Sequence, residues 1–330
     1  MRALVTGASG FIGRLISEKL MAANHRVRAL VRKTSKVGPL KESGIEICYG
    51  DLSDFASLKQ AGSGIDVIFH SAAHVGDWGT RDEFYQGNVV GTRNVIEALV
   101  AAGVPRLVHI SSVAVYGRQS GIIKETTARR KIGEPYEDTK TEAEVVALDL
   151  ANKHRFALTI VRPSLIYGPY DYKFVPRLAE NLRKKRMMII GSGRNIAPLV
   201  YGEDVADFAV LAASHPAAIG ETFNVSSGEP VSWNEFLVTL AERLNADPPK
   251  IHLPASLMYA TGAVMETLWK MAGAKKPPMI TRFAVRLLAA DCRYDISKAE
   301  KALGYRPKVF YKEGLLRTLA WMHKAGVPAQ

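Results

Sequence analysis

The chain has 330 residues, with 44 lysines and arginines against 32 aspartates and glutamates, a formal net charge of +12. Hydrophobic residues make up 47 % and charged residues 23 %, which excludes a disordered or collagen-like chain and leaves enough apolar material for a large core. The two cysteines, Cys48 and Cys292, form neither a metal spacing nor a disulfide framework, so no metal is expected and a reducing compartment is.

Ala3 to Thr6 reads as a buried strand, followed by a glycine turn and an apolar-periodic segment from Phe11 to Ala23. Further strands are predicted at Val27 to Val31, Ile45 to Tyr49, Asp66 to His70, Arg106 to Ile110 and Ala157 to Val161. Long helices are expected over Asp82 to Ala102 and Tyr136 to Lys153. Strands alternating with helices argue for an α/β fold, a Rossmann-type, doubly wound parallel sheet covered on both faces. After Pro163 the pattern loosens, with helical candidates at Phe174 to Arg186, Gly202 to Ser214, Trp233 to Leu244 and Leu257 to Met271. Residues 1–165 are therefore read as a dinucleotide-binding domain. Residues 166–330 read as a smaller substrate lobe interleaved with it.

The loop Gly7-Ala8-Ser9-Gly10-Phe11-Ile12-Gly13 closes the first strand and opens the first helix. One glycine permits the tight turn, one lets backbone approach a pyrophosphate, and one allows close helix packing. The phosphates would meet free N–H groups at the helix N-terminus. A basic residue at the end of the second strand accommodates a 2′-phosphate, whereas an acidic one binds a free ribose hydroxyl. Val31-Arg32-Lys33 stands there, with no carboxylate before Glu42, so NADP is favoured over NAD. Asp51-Leu52, after the third strand, falls where an adenine ring would lie; Asp51 would accept its amino group or else cap a helix. Ser71-Ala72-Ala73, after the fourth strand, offers small side chains where backbone must approach the cofactor.

Tyr136 and Lys140 are four residues apart in a helical segment and so share one face, about 6 Å apart. A free tyrosine has a pKa of about 10, and a nearby ammonium would lower it. Ser112, just past the fifth strand at the same sheet edge, could hold a substrate oxygen.

Together with these residues, Asn88-Val89-x-Gly91-Thr92, Ser111-Ser112-x-x-Val115-Tyr116-Gly117 and Arg162-Pro163-x-x-x-Tyr167-Gly168-Pro169 make the chain resemble an extended short-chain dehydrogenase/reductase. The resemblance implies that Tyr136 is the proton donor or acceptor, Lys140 binds the nicotinamide ribose and Ser112 orients the substrate oxygen. It further implies that Asn88 supports the helix and a relay water, that Pro163 lies beside the cofactor, and that Tyr116 packs near the site. Glu221 to Trp233, Leu253-Pro254 and Leu303-Gly304-Tyr305-Arg306-Pro307 resemble the branch of 3-beta-hydroxysteroid and sterol-4-alpha-carboxylate 3-dehydrogenases. Val75-Gly76-Asp77-Trp78-Gly79 is similar to bacterial reductases of 2-alkyl-3-oxo acids in the same branch.

The expected activity is thus interconversion of a secondary alcohol and a ketone on a hydrophobic substrate. The alternative is a nucleotide-sugar epimerase or dehydratase with tightly bound NAD. A homodimer through the helices holding Asn88 and Tyr136 is what the resemblance implies.

No stretch reaches about 18 uncharged apolar residues, and Met1-Arg2-Ala3-Leu4 leaves no room for a leader, so a cytoplasmic location is expected. The segment 254–276 is rich in large apolar residues and carries Lys270, Lys275 and Lys276, which suits peripheral contact with a membrane surface. Arg129-Arg130-Lys131 and Arg183-Lys184-Lys185-Arg186 read as solvated faces, and no nucleic-acid partner is expected.

Overall fold

The computed structural model describes residues 1–327. In chain order its first half runs β1 Arg2–Thr6, α1 Phe11–Ala22, β2 Arg26–Val31, α2 Gly38–Glu42, β3 Glu46–Tyr49, α3 Phe55–Gly62 and β4 Val67–His70. It continues through α4 Arg81–Tyr85, a π-helical turn Gln86–Val90, α5 Gly91–Ala101, β5 Arg106–Ile110, a 3₁₀ turn Val113–Tyr116, β6 Gly121–Ile123, α6 Pro135–His154 and β7 Ala157–Pro163. The second half is β8 Leu165–Tyr167, α7 Phe174–Arg183, β9 Ile189–Ile190, β10 Leu199–Tyr201, α8 Gly202–Ser214, β11 Thr222–Val225 and α9 Trp233–Arg243. After it come β12 His252–Leu253, α10 Ala255–Met271, α11 Arg282–Ala289, β13 Cys292–Tyr294, α12 Ser297–Leu303 and α13 Tyr311–Lys324.

Seven parallel strands form the main sheet in the order β11-β7-β5-β4-β1-β2-β3. Strand order reverses between β1 and β4, which is where such sheets open a crevice at their carboxyl ends. On one face α1 and α8 pack over Val5, Val31, Phe69 and Val161. On the other, α3, α5 and α6 cover Leu4, Leu30, Ile68 and Leu107. Strands buried on both faces carry apolar residues at successive positions, and β1 reads Ala-Leu-Val for that reason.

Three departures from the sequence reading have physical causes. The helix expected over Asp82 to Ala102 is interrupted by the π-helical turn, where one extra residue per turn redirects the side chains. The seventh strand, β11, comes from beyond residue 165, and α8 and α12 add Phe208, Ala299 and Leu303 to the core of the first half. The structure adds helices that the sequence reading does not contain: the short α2, α3, α11 and α12, and the fourteen-residue α13. Among the described residues no helix is long and apolar enough to cross a membrane.

Candidate active site

A cleft of about 1650 Å³ opens at the carboxyl ends of β1 and β4. A single small ligand needs roughly 300–1,000 Å³, so the volume suits two molecules side by side. One wall is the glycine loop. Gly7 adopts a φ of +72°, and a Cβ on it would fall 2.8 Å from the amide nitrogen of Ala72. Gly13 lets α1 lie directly on the Gly7 backbone and on the Ser71 hydroxyl. Gly10 differs: a Cβ there would meet only the Gly7 carbonyl, at 3.2 Å, and nothing else within 4 Å.

Gly10 is the N-cap of α1, no side chain caps the helix, and no acidic residue stands in its first turn. Its free N–H groups therefore fit an anion. Ser71 donates to the Thr6 carbonyl at 2.7 Å, which fixes the facing segment. Ser9, Phe11, Ile12, Leu52, Ala72, Ala73 and Pro163 line the cleft with the glycines. Ala8 does not: its side chain is fully buried in the core, which leaves only its backbone at the turn.

At the end of β2 the exposed Arg32 borders the cleft, and Ser9 and Ser35 join hydroxyls beside it at 3.3 Å. Asp51 accepts from the Ser53 amide at 3.0 Å and from its hydroxyl at 2.7 Å. These bonds hold its carboxyl below the usual value, with a smaller pull from Arg32. Asp54, not Asp51, caps α3, accepting from Ala56 and Ser57. The Leu52 carbonyl is fixed by the Asn94 amide at 2.7 Å.

Tyr136 and Lys140 rise from the first turns of α6 into the middle of the cleft, opposite Ser112. The Lys140 ammonium donates to the carbonyl of Ile110, the last residue of β5, at 2.9 Å. Ser112 caps the following 3₁₀ turn, its hydroxyl accepting from Ala114 at 3.1 Å. The Tyr136 ring is half-open to the cleft but flanked by Phe84 and Phe283, each about edge-on at 6.3 Å.

The lowered phenol pKa expected from the sequence is not found. Loss of water around Tyr136 pushes it up to about 12, against the pull of the Ser112 hydroxyl, and Glu137 adds to the rise. Burial also brings Lys140 down to about 8, with Glu144 opposing. Loss of water is the largest cause of both shifts.

Asn88 does not line the cleft. It is buried in the π-helical turn, where its amide donates to the Thr139 hydroxyl at 3.0 Å and to the His74 carbonyl at 3.1 Å. It also accepts from the His74 amide at 2.7 Å, so it ties α6 to the segment after β4. Tyr116 is buried outside the cleft and bonded to Asn224 and Arg162.

The opposite wall includes part of the apolar 254–276 segment, joined by the stretch from Met279 to Leu287. Met258 and Tyr259 of α10, Met279 and Ile280 before α11, and Phe283 and Leu287 of α11 face the cleft with apolar side chains. Gly262 makes this hairpin possible, because a Cβ there would lie 3.1 Å from the amide nitrogen of Arg282. Besides the apolar packing of Met258, Val285, Leu287 and Leu288, the hairpin meets the rest of the protein through polar contacts. Arg286 pairs with Glu134 at 2.8 Å and Glu137 at 3.0 Å. Thr281 donates to Asp77 at 2.9 Å, Arg177 bridges Asp77 and the Met279 carbonyl, and Trp78 donates to the Ala274 carbonyl at 2.9 Å. In the sequence, Arg282 and Arg286 one turn apart were the available signal.

The model of the NAD dependent epimerase/dehydratase family matches residues 3–226. The 2-alkyl-3-oxoalkanoate reductase of Stenotrophomonas maltophilia (strain K279a) is 34% identical over 329 residues, covering 97% of this chain and 99% of the relative. The sterol-4-alpha-carboxylate 3-dehydrogenase, decarboxylating, of Mus musculus is 30% identical and covers 97% of this chain and 90% of its own. Among solved structures, MoeE5 in complex with UDP-glucose and NAD superposes with a TM-score of 0.78 at 27% identity, covering 98% of this chain and 99% of that one.

Proposed function

The chain belongs to the NAD dependent epimerase/dehydratase family, and we propose that it interconverts a secondary alcohol and a ketone on a hydrophobic substrate of the 2-alkyl-3-oxo acid or 3-beta-hydroxysterol type. One observation carries this reading: Tyr136 and Ser112 stand between a glycine cradle fit for a dinucleotide and a wall made of Met258, Tyr259, Ile280, Phe283 and Leu287. The wall offers a long apolar group far more surface than a nucleotide could use. Residues 1–165 serve mainly the dinucleotide and residues 166–330 the substrate.

A bound nicotinamide cofactor supplies or accepts the hydride. In the reductive direction the Tyr136 hydroxyl gives its proton to the ketone oxygen while Ser112 donates a hydrogen bond to the same oxygen. Tyr136 is protonated at neutral pH, as the proton donor must be. Lys140 sits between the Ile110 carbonyl and the cofactor side of the cleft, where it can hold the ribose and neutralise the phenolate left behind. Asn88 acts one step back, fixing α6 through Thr139. Gly7, Ser9, Gly10, Phe11, Ile12 and Gly13, the Ala8 backbone, Leu52, Ser71, Ala72, Ala73 and Pro163 seat the cofactor, and Asp51 receives the adenine. Arg32, with no carboxylate beside it on β2, favours NADP over NAD.

The deciding experiment follows NADPH and NADH oxidation with 3-ketosterols, 2-alkyl-3-oxo acids and nucleotide sugars. Consumption of a hydrophobic ketone by freely exchanging NADPH is expected. Turnover of nucleotide sugars alone, by protein purified with stoichiometric NAD, would replace this reading with the epimerase alternative.

Two further assignments belong to the same proposal. The protein forms a homodimer through α5 and α6, which hold the region of Asn88 and Tyr136. The segment 254–276 touches a membrane surface peripherally: Leu257, Val264, Leu268 and Met271 are exposed along α10, and Lys270, Lys275 and Lys276 follow. Co-sedimentation with anionic vesicles should be several-fold above that with neutral ones and should drop in Leu268→Asp. Equal, negligible binding to both would remove the assignment.

A further inference from the structure

Tyr136 occupies the second position of α6, and of the residues on either side of its turn, Glu134, which also lies 3.8 Å from Arg282, and Glu137 both pair with one cation. That cation is Arg286 on α11, and all three side chains are at most one-sixth exposed. Phe283, three residues earlier on the same face of α11, meets the Tyr136 ring edge-on. The first turn of α6 has no side-chain N-cap, so this grip from α11 supplies part of its restraint from outside the helix. Burial pushes the Glu137 carboxyl up, and Arg286 is the main charge opposing that rise.

The hairpin that carries Arg286 is anchored on the side away from the cleft: Met258 and Val285 pack with Ile190, and Leu287 and Leu288 lie against the cluster that holds Leu178, Trp233 and Phe236. Of the residues it turns to the cleft, Tyr259, Ile280, Phe283 and Leu287 are only partly covered by protein and Met279 is exposed. An alkyl chain seated there would add apolar contacts on that side and press the hairpin toward α6.

We propose that Arg286 is a positioning residue that couples occupancy of this alkyl site to the placement of Tyr136. Binding energy from a part of the substrate remote from the carbonyl is thereby converted into orientation at the reacting atoms, and appears in kcat rather than only in KM. The inference rests on the proposed hydrophobic substrate and names the element that recognises its chain.

The test uses 2-alkyl-3-hydroxy acids of short, medium and long alkyl chain, oxidised with NADP in the whole protein. In the native protein kcat rises with chain length while KM falls. In Arg286→Met, kcat for the longest chain drops roughly 10- to 100-fold and no longer depends on length, while KM keeps its trend. Arg286→Lys, which keeps the charge but not the two-pronged grip, recovers part of the lost kcat. An Arg286→Met protein that keeps the chain-length dependence of kcat overturns the proposal. If that variant does not fold, Phe283→Leu must flatten the same dependence; its persistence overturns the proposal equally.

A native protein that oxidises none of these acids removes the substrate reading. Amide hydrogen exchange then decides the coupling alone. Slower exchange over residues 135–140 on adding the longest acid upholds it, and unchanged exchange overturns it.

Discussion

The two walls of the cleft are built on opposite principles. The glycine wall is backbone laid on backbone: Gly7 against Ala72, Gly13 against Gly7, with Val5, Ala8, Leu15 and Phe69 sealed beneath. The α10–α11 wall is hung on side chains, with ion pairs and single hydrogen bonds to Glu134, Glu137, Asp77 and Trp78 over a small apolar cluster. Close packing tolerates no displacement, whereas polar contacts are individually worth about 0.5–1.5 kcal/mol, or about 1.5–3 kcal/mol where charged, and can be exchanged for water. A rigid wall suits a cofactor whose shape never varies. A wall that can lift suits a substrate whose apolar part must enter and leave.

The largest effect should come where the walls meet. Tyr136→Phe removes the transferable proton but leaves both walls intact. It should lower kcat roughly 10²- to 10⁴-fold with NADPH binding, followed by fluorescence, nearly unchanged. Retained turnover would take Tyr136 out of the proton transfer. On the rigid wall, Gly13→Ala puts a methyl within the Gly7 backbone and the Ser71 hydroxyl, and thermal unfolding should show a loss of about 1–3 kcal/mol. Gly10→Ala should leave that transition almost in place, since only the Gly7 carbonyl is near, yet weaken cofactor binding by crowding the phosphates. Equal loss of stability in both variants would break the distinction between packing and approach.

A smaller effect probes the rim of the same wall. Arg32→Asp should raise KM for NADPH about tenfold, the equivalent of one ion pair of about 1.4 kcal/mol, and leave KM for NADH little changed. Equal changes for both cofactors would return Arg32 to an ordinary surface charge.

Legibility in the sequence follows the same division. The glycine wall is local: β1, its turn, α1 and β2 lie within 31 residues, and their periodicity is set by burial on both faces. Tyr136 and Lys140 are one helical turn apart, so spacing alone pairs them. The other wall is joined by contacts 149 residues apart at Arg286–Glu137 and 204 apart at Thr281–Asp77, which no periodicity encodes. The motif around Asn88 implies a residue that supports the helix, and its bond to Thr139 of α6 fits that; the π-helical turn that places it there departs from the 3.6-residue period. The direction of the Tyr136 shift was misjudged because burial depends on Phe84 and Phe283, both distant in sequence.

The smallest predicted effect tests whether the second wall moves as a unit. The Asp77 carboxylate oxygen Oδ2 receives both Thr281 and Arg177, so Asp77→Ala cuts the Thr281 tie between the hairpin and the loop after β4 and frees Arg177 of α7 from that loop. Thr281 also caps α11 through the Ala284 amide, and that bond survives the change. The helix therefore stays formed while its attachment weakens by about 1 kcal/mol. Global unfolding should shift little, because the main core lies elsewhere. Amide exchange should nevertheless quicken about fivefold across residues 272–289 together and leave α1 and β1 untouched. Faster exchange confined to the residues next to position 281 would mean that the ties act one by one. The hairpin would then be another rigid wall, with no collective motion by which a seated alkyl chain could reach Tyr136.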